Sequence, residues 1–203
     1  MRSLDSPEKR SLLNLARGAV MTAVEGTDPV ANPSCDVASA GFTGAFVTLR
    51  YRSQLRGCIG EINSKEDLVT VIPRCARAAA LDDPRFRPVR RDELAEIKID
   101  ISILSPPRES KAEEIEPGKH GVIVSRGSRR GVLLPQVAME RGWGAQRFLE
   151  EACVKAGLER EAWKTRGVMI ETFTAETFGE TDSQIDGGRN PPDRLKAGYS
   201  IST

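Results

Sequence analysis

No stretch of this 203-residue chain approaches the ~18 consecutive apolar residues needed to cross a bilayer, so a transmembrane helix is excluded and no membrane partner is expected. Four cysteines are present, Cys35, Cys58, Cys75 and Cys153, and no two of them form a C-x-x-C pair. A zinc ribbon or finger needs such pairs, and a disulfide framework is out of place in a chain of this size. Neither G-x-G-x-x-G nor G-x-x-x-x-G-K-S/T occurs, which leaves a dinucleotide fold or a phosphate-cradling loop without support. No cofactor and no metal are therefore expected. Aromatic residues make up only 5%, and the charges nearly cancel, 30 basic against 29 acidic. A chain-wide electrostatic footprint for nucleic acid or membrane is absent. The densest basic spots, Arg85, Arg87, Arg90 and Arg91, then Arg126, Arg129 and Arg130, lack the interleaved aromatics that stack on single strands. The opening MRSLDSPEKRS carries two acids and a proline before any apolar stretch. No signal peptide is read there, and the expected address is the cytoplasm.

What is present is a globular composition, 39% hydrophobic and 29% charged. Ser6-Pro7-Glu8 marks a helix start with Ser6 as N-cap, and Leu12, Leu13, Leu15, Ala16, Ala19 and Val20 recur at helical spacing. Gly26 and two X-Pro pairs then open a long loop to about Thr43. GAFVTLRY (44–51) and the return 55–62 predict a β-hairpin. A helix is expected over 65–80, with a kink or a late start at Pro73. IKIDISIL (97–104) alternates as a half-buried antiparallel strand does. A second hairpin is expected around 121–134, two helices over 135–143 and 145–156, and a strand over 168–178. This order predicts an α+β fold, a mixed or antiparallel sheet with flanking helices. Residues 1–180 form the domain, and the polar, Gly/Pro-rich 181–203 is expected to be a loose tail.

Cys58 is the sharpest chemical candidate. It lies between Gly57 and Gly60, where backbone and ligand can approach closely, and Arg56 two positions away would share its strand face. A cation there favours the thiolate. The alternative is a small buried hydrophobe, which is also how Cys75 and Cys153 are read, on their helical stripes. His120, the single histidine, would be the economical base for a Cys58 nucleophile, or else a solvated loop residue. Asp83 and Arg85 follow as substrate-binding candidates with Arg56, Gly57 and Gly60. Arg85 could hold a small anionic ligand, or it could simply pair with Asp83 to fix the loop. Trp143, Phe148 and Trp163 are expected in the core. Asp100 and Ser102 share the strand face opposite Ile99, Ile101 and Ile103, towards a cleft or towards water.

Six segments resemble the AMMECR family: GAFVTL (44–49), LRGCIG (55–60), DPRF (83–86), IDISIL (99–104), GKHGVIV with GVLLPQVA (118–124 and 131–138), and FLEEACVKAGL (148–158) followed by Trp163. LRGCIG is the hallmark string, and the resemblance spans about residues 7–180. Asp100 stands where the family's strand usually carries Glu. The resemblance implies a larger lobe holding both termini and a smaller lobe inserted in it. It brings no established reaction. Bacterial and archaeal relatives are described as protein A of the AmmeMemoRadiSam system, which implies Memo-like and radical S-adenosylmethionine (radical SAM) proteins as partners.

Three functions remain open on this basis. The first is a cysteine-dependent enzyme acting on a small polar or anionic metabolite. The second is a non-catalytic scaffold for those partners. The outsider is nucleic-acid binding.

Overall fold

The structure, a computed structural model, describes residues 3–27 and 41–180. Cys35, most of the loop expected before Thr43 and the tail expected over 181–203 lie outside the described residues. Among the described residues, four α-helices and seven strands follow in the order α1 (Ser6–Glu25), β1 (Gly44–Tyr51), β2 (Gln54–Glu61), α2 (Leu68–Leu81), β3 (Ile97–Leu104), β4 (Arg108–Glu109), β5 (His120–Arg126), β6 (Arg129–Leu133), α3 (Pro135–Arg141), α4 (Ala145–Lys155) and β7 (Met169–Gly179). All the strand pairings described are antiparallel, and the fold is α+β as the element order predicts.

The described residues gather into two compact units: 3–27, 41–106 and 176–180 in the first, 107–175 in the second. In the first, β1 lies between β2 and β3, with the end of β7 next to β3. One face of this sheet carries Val47, Leu49, Ile99, Ile101 and Ile103, all fully buried. Their cover is α2, which packs on β1 and β2, while α1 packs on α2 and β3. Burying side chains of this kind stabilises by about 1.5–3 kcal/mol each. Burial alternates along the first half of β3 as expected. From Ile101 onward both faces are covered, and Ser102 is buried as well. The second unit places β5 between β6 and the start of β7, and packs α4 on β5 and β6. Phe148 is fully buried in its core, against which Trp143 and Trp163 pack.

Local chemistry explains the element ends, with two shifts from the sequence reading. The N-cap of α1 is Asp5 and not Ser6: its carboxylate accepts the Glu8 N–H while Glu8 accepts the Asp5 N–H. This reciprocal pair satisfies two donors, which a Ser6 cap one residue later would not. Asp67 caps α2, so the helix starts at Leu68 where Lys65 was expected, and it does not begin at Pro73, which falls inside it. The β1–β2 turn puts Arg52 and Ser53 at φ 49° and 66°, a left-handed pair suited to a two-residue hairpin. Arg52 is held there by a bidentate pair with Glu96 and by the Tyr51 ring.

Both units seat a helix on a hairpin through a glycine. A Cβ on Gly57 of β2 would lie 2.1 Å from the Ala79 carbonyl oxygen of α2, and one on Gly131 of β6 would lie 2.2 Å from that of Ala152 in α4. Backbone atoms cannot yield as a flexible side chain can, so any side chain would push the helix off its sheet. Gly57→Ala and Gly131→Ala are each expected to cost about 1–3 kcal/mol, the usual range for overpacking, measured by urea denaturation of the whole chain.

Candidate functional site

The β1–β2 register sets the face opposite the helices. Thr48 pairs with Cys58, Phe46 with Gly60, and the count slips between Leu49 and Arg50, leaving Arg56 as the extra residue of a bulge. On the other side of β1, Thr48 faces Asp100, Phe46 faces Ser102 and Arg50 faces Lys98. Three cross-strand rows result, and the central one is Asp100–Thr48–Cys58. The Thr48 hydroxyl donates to Cys58 Sγ at 3.3 Å, Arg50 Nε donates to Asp100 at 2.8 Å, and Ser102 and Thr177 share a hydroxyl–hydroxyl bond of 2.9 Å. Cys58 is half-buried, whereas Cys75 and Cys153 are buried in the two cores as expected.

β2 is the last strand on its side of the sheet, and an edge strand shows unpaired N–H and C=O groups. At Cys58 both are taken up by the DPRF segment. Asp83 Oδ2 accepts the Cys58 N–H at 2.8 Å, and Arg85 Nη2 donates to the Cys58 carbonyl at 3.1 Å. Arg85 is bound in turn to both Asp83 oxygens, and its backbone N–H donates to Oδ1. Asp83 is only 4% exposed. Burial alone would raise its pKa, but the Arg85 guanidinium and the two backbone N–H groups prevail and hold the carboxyl below its ordinary value. The loop-fixing pair foreseen for Asp83 and Arg85 is thus also a clamp on Cys58.

The remaining candidates are placed as follows. Arg56 turns to the 87–93 segment: it makes a bidentate pair with Glu93 (2.8 and 2.9 Å) and donates to the carbonyls of Arg87 and Pro88. The bulge, which the plain period-two spacing cannot show, separates it from the Cys58 row. Gly57 meets α2, and above Gly60 lies the Phe46 ring, 2.3 Å from where a Cβ would stand. His120 belongs to the second unit, where its Nδ1 accepts the Glu116 N–H at 3.2 Å, leaving Nε2 to carry the proton. Cys58 is in the first unit, so the catalytic pairing of Cys58 with His120 stays a sequence expectation. Thr48 and Arg50, which were not among the residues expected at the site, share the face of Cys58. Their signal was the strand alternation itself, which puts every second residue of GAFVTLRY on the face of Cys58.

The chain matches the AMMECR1 family over residues 13–178. It belongs to that family. The Methanopyrus kandleri protein MK0488 is 39% identical over 187 residues, covering 87% of this chain and 90% of its own. A protein of Aquifex aeolicus is 36% identical over 181 residues, with 85% and 93% covered. Among solved structures, the uncharacterized protein PH0010 from Pyrococcus horikoshii superposes with a TM-score of 0.76 at 35% identity, over 83% of this chain and 89% of that one. The AMMECR1 match embraces both units, and LRGCIG and DPRF both fall inside it. Among the described residues no helix is long and apolar enough to cross a membrane, and no three His, Cys, Asp or Glu side chains are grouped to hold a metal ion.

The clamp is tested by acid. Because the folded state lowers the Asp83 pKa, its stabilisation is complete above the ordinary value of 3.8 and is lost as pH falls through the lowered one. Asp83→Ala is expected to cost about 2–3 kcal/mol at pH 7, the scale for charge-assisted hydrogen bonds lost from a buried group. The gap between the two proteins should narrow below pH 4 in urea titrations; a gap independent of pH would show that the carboxylate charge is not what the clamp depends on.

Proposed function

We propose that this AMMECR1 protein acts through the polar sheet face of its first unit, with Cys58 as the reactive group towards a small polar metabolite. One observation supports this reading above the others. Cys58 is held at three points, its N–H by Asp83, its C=O by Arg85 and its sulfur by Thr48, and the residue is half-buried where Cys75 and Cys153 are buried. Groups that act on a substrate gain from being fixed before it arrives. Sγ adds to the carbonyl carbon of an electrophilic substrate as the C=O π bond opens; the thiol proton leaves to water and the carbonyl oxygen takes one from water, while Thr48, Thr177 and the Arg50–Asp100 pair orient the polar groups of the metabolite.

A non-catalytic binding role is the second reading, and the engagement of the arginines favours it. Arg56 and Arg85 are bonded to protein groups, so the face offers hydroxyls and one ion pair more than free cations. The Memo-like and radical SAM proteins belong to either reading as partners. Retention of those partners by Cys58→Ala, tested by pull-down, would favour the binding role only if the variant also kept full function in the cell.

Reactivity separates the cysteines. Burial pushes the Cys75 thiol from the ordinary 9.0 up to about 11 and raises that of Cys153 as well. At pH 8 the thiolate of Cys75 is then about one part in a thousand. With Cys35→Ser to remove the cysteine outside the described residues, iodoacetamide should alkylate Cys58 alone, and Cys75 and Cys153 only after unfolding. Incubation with a metabolite extract should leave a mass adduct on Cys58 that Cys58→Ala lacks. A Cys58 no faster than the two core thiols would end the catalytic reading.

A further inference from the structure

A cavity of about 360 Å³ opens in the first unit, away from the Cys58 clamp, lined by α1, the segment before β3, the start of β3 and Glu180. Its volume is within the range of small-molecule sites. One wall is a stripe of α1, Arg10, Leu13, Asn14 and Arg17, spaced i, i+3, i+4 and i+7 so that all four face one way.

The charges in it are of two kinds. Arg17 is a fixed part of the wall. Its Nε donates to Glu180 Oε1 at 2.8 Å, its Nη2 pairs with the other Glu180 oxygen and donates to the Ile97 carbonyl at 2.7 Å, and its Nη1 reaches the Leu94 carbonyl at 3.3 Å. Glu180 also accepts the Ile99 N–H at 3.0 Å, so the lone carboxylate of the lining is neutralised and tied to the sheet. Arg10 and Lys98 are the other kind. Both are exposed residues of the lining, and among the described residues neither side chain makes a hydrogen bond or an ion pair. With Arg17 and Glu180 cancelling, the cavity keeps two positive charges and the Asn14 amide as an uncharged donor.

We propose that this cavity is a binding site for a small doubly charged oxyanion, with Arg10 and Lys98 of its lining supplying the positive charge and Asn14 an amide donor. An arginine and a lysine in the lining of one cavity match the charge of a phosphate monoester or a dicarboxylate. The Arg17–Glu180 pair keeps the floor rigid, so the anion meets a preformed site. The site is independent of Cys58 and of any reaction there.

Inorganic phosphate and succinate are the two probes, each titrated into the full chain with sodium chloride at matched ionic strength as control. Saturable shifts of the Asn14 side-chain amide and the Lys98 backbone amide in ¹⁵N NMR, together with a rise in Tm that chloride does not give, are expected for at least one probe, and which one identifies the anion class. Arg10→Gln with Lys98→Gln should weaken the apparent Kd about tenfold or more. The ligand-free Tm should not fall, since neither side chain has a protein partner to lose. Equal affinity in parent and double variant, shifts confined to other residues, or a chloride effect equal to both probes would overturn the site.

Discussion

Asp83 is a carboxylate almost removed from water, and the first unit is organised around what solvates it in water's place. Two backbone N–H groups and one guanidinium supply that solvation, and one of the N–H groups is that of Cys58. An isolated buried charge would be costly, but here the charge closes the open edge of β2 and anchors the loop that follows α2 in a single arrangement. Val89 N–H donating to the Ala80 carbonyl, and Arg56 bridging to Arg87, Pro88 and Glu93, fasten the rest of that loop to the same edge. LRGCIG and DPRF, some 25 residues apart in the chain, are thus the two halves of one hydrogen-bonded junction.

The glycines of the hallmark string answer to packing. Gly57 lets the α2 backbone touch the sheet and Gly60 lets the Phe46 ring lie across the strand, so Cys58 is held between a helix contact on one face and an aromatic contact on the other. The second unit uses the same device at Gly131 beneath α4. Close seating of the helices on one face leaves the polar residues to gather on the other, and in the first unit that face is where Cys58, Thr48, Arg50, Asp100 and Ser102 meet.

Membership of the AMMECR1 family and relatives of uncharacterised function leave the reaction to be argued from chemistry. The role proposed for Cys58 and the one proposed for the cavity make different demands on a ligand, one for an electrophilic carbon and one for negative charge, so the two can be probed apart. Arg85 supports the Cys58 backbone, and Arg56 ties the edge strand to the 87–93 segment.

The sequence by itself determined which segments are helix and which are strand, because apolar periodicity and capping residues are local. It also singled out Cys58, Asp83 and Arg85, since Gly-flanked cysteines and Asp-Pro-Arg turns stand out without a structure. Only the tertiary structure decided that Asp83 and Arg85 hold the two backbone groups of Cys58, that a bulge turns Arg56 away, and that Arg10, Lys98 and Glu180 share one cavity. Period-two spacing cannot reveal an inserted residue, and hydrogen bonds between residues 25 to 163 positions apart depend on how strands and helices are stacked. That stacking is set by the summed burial of the whole core and is written in no single stretch of the chain.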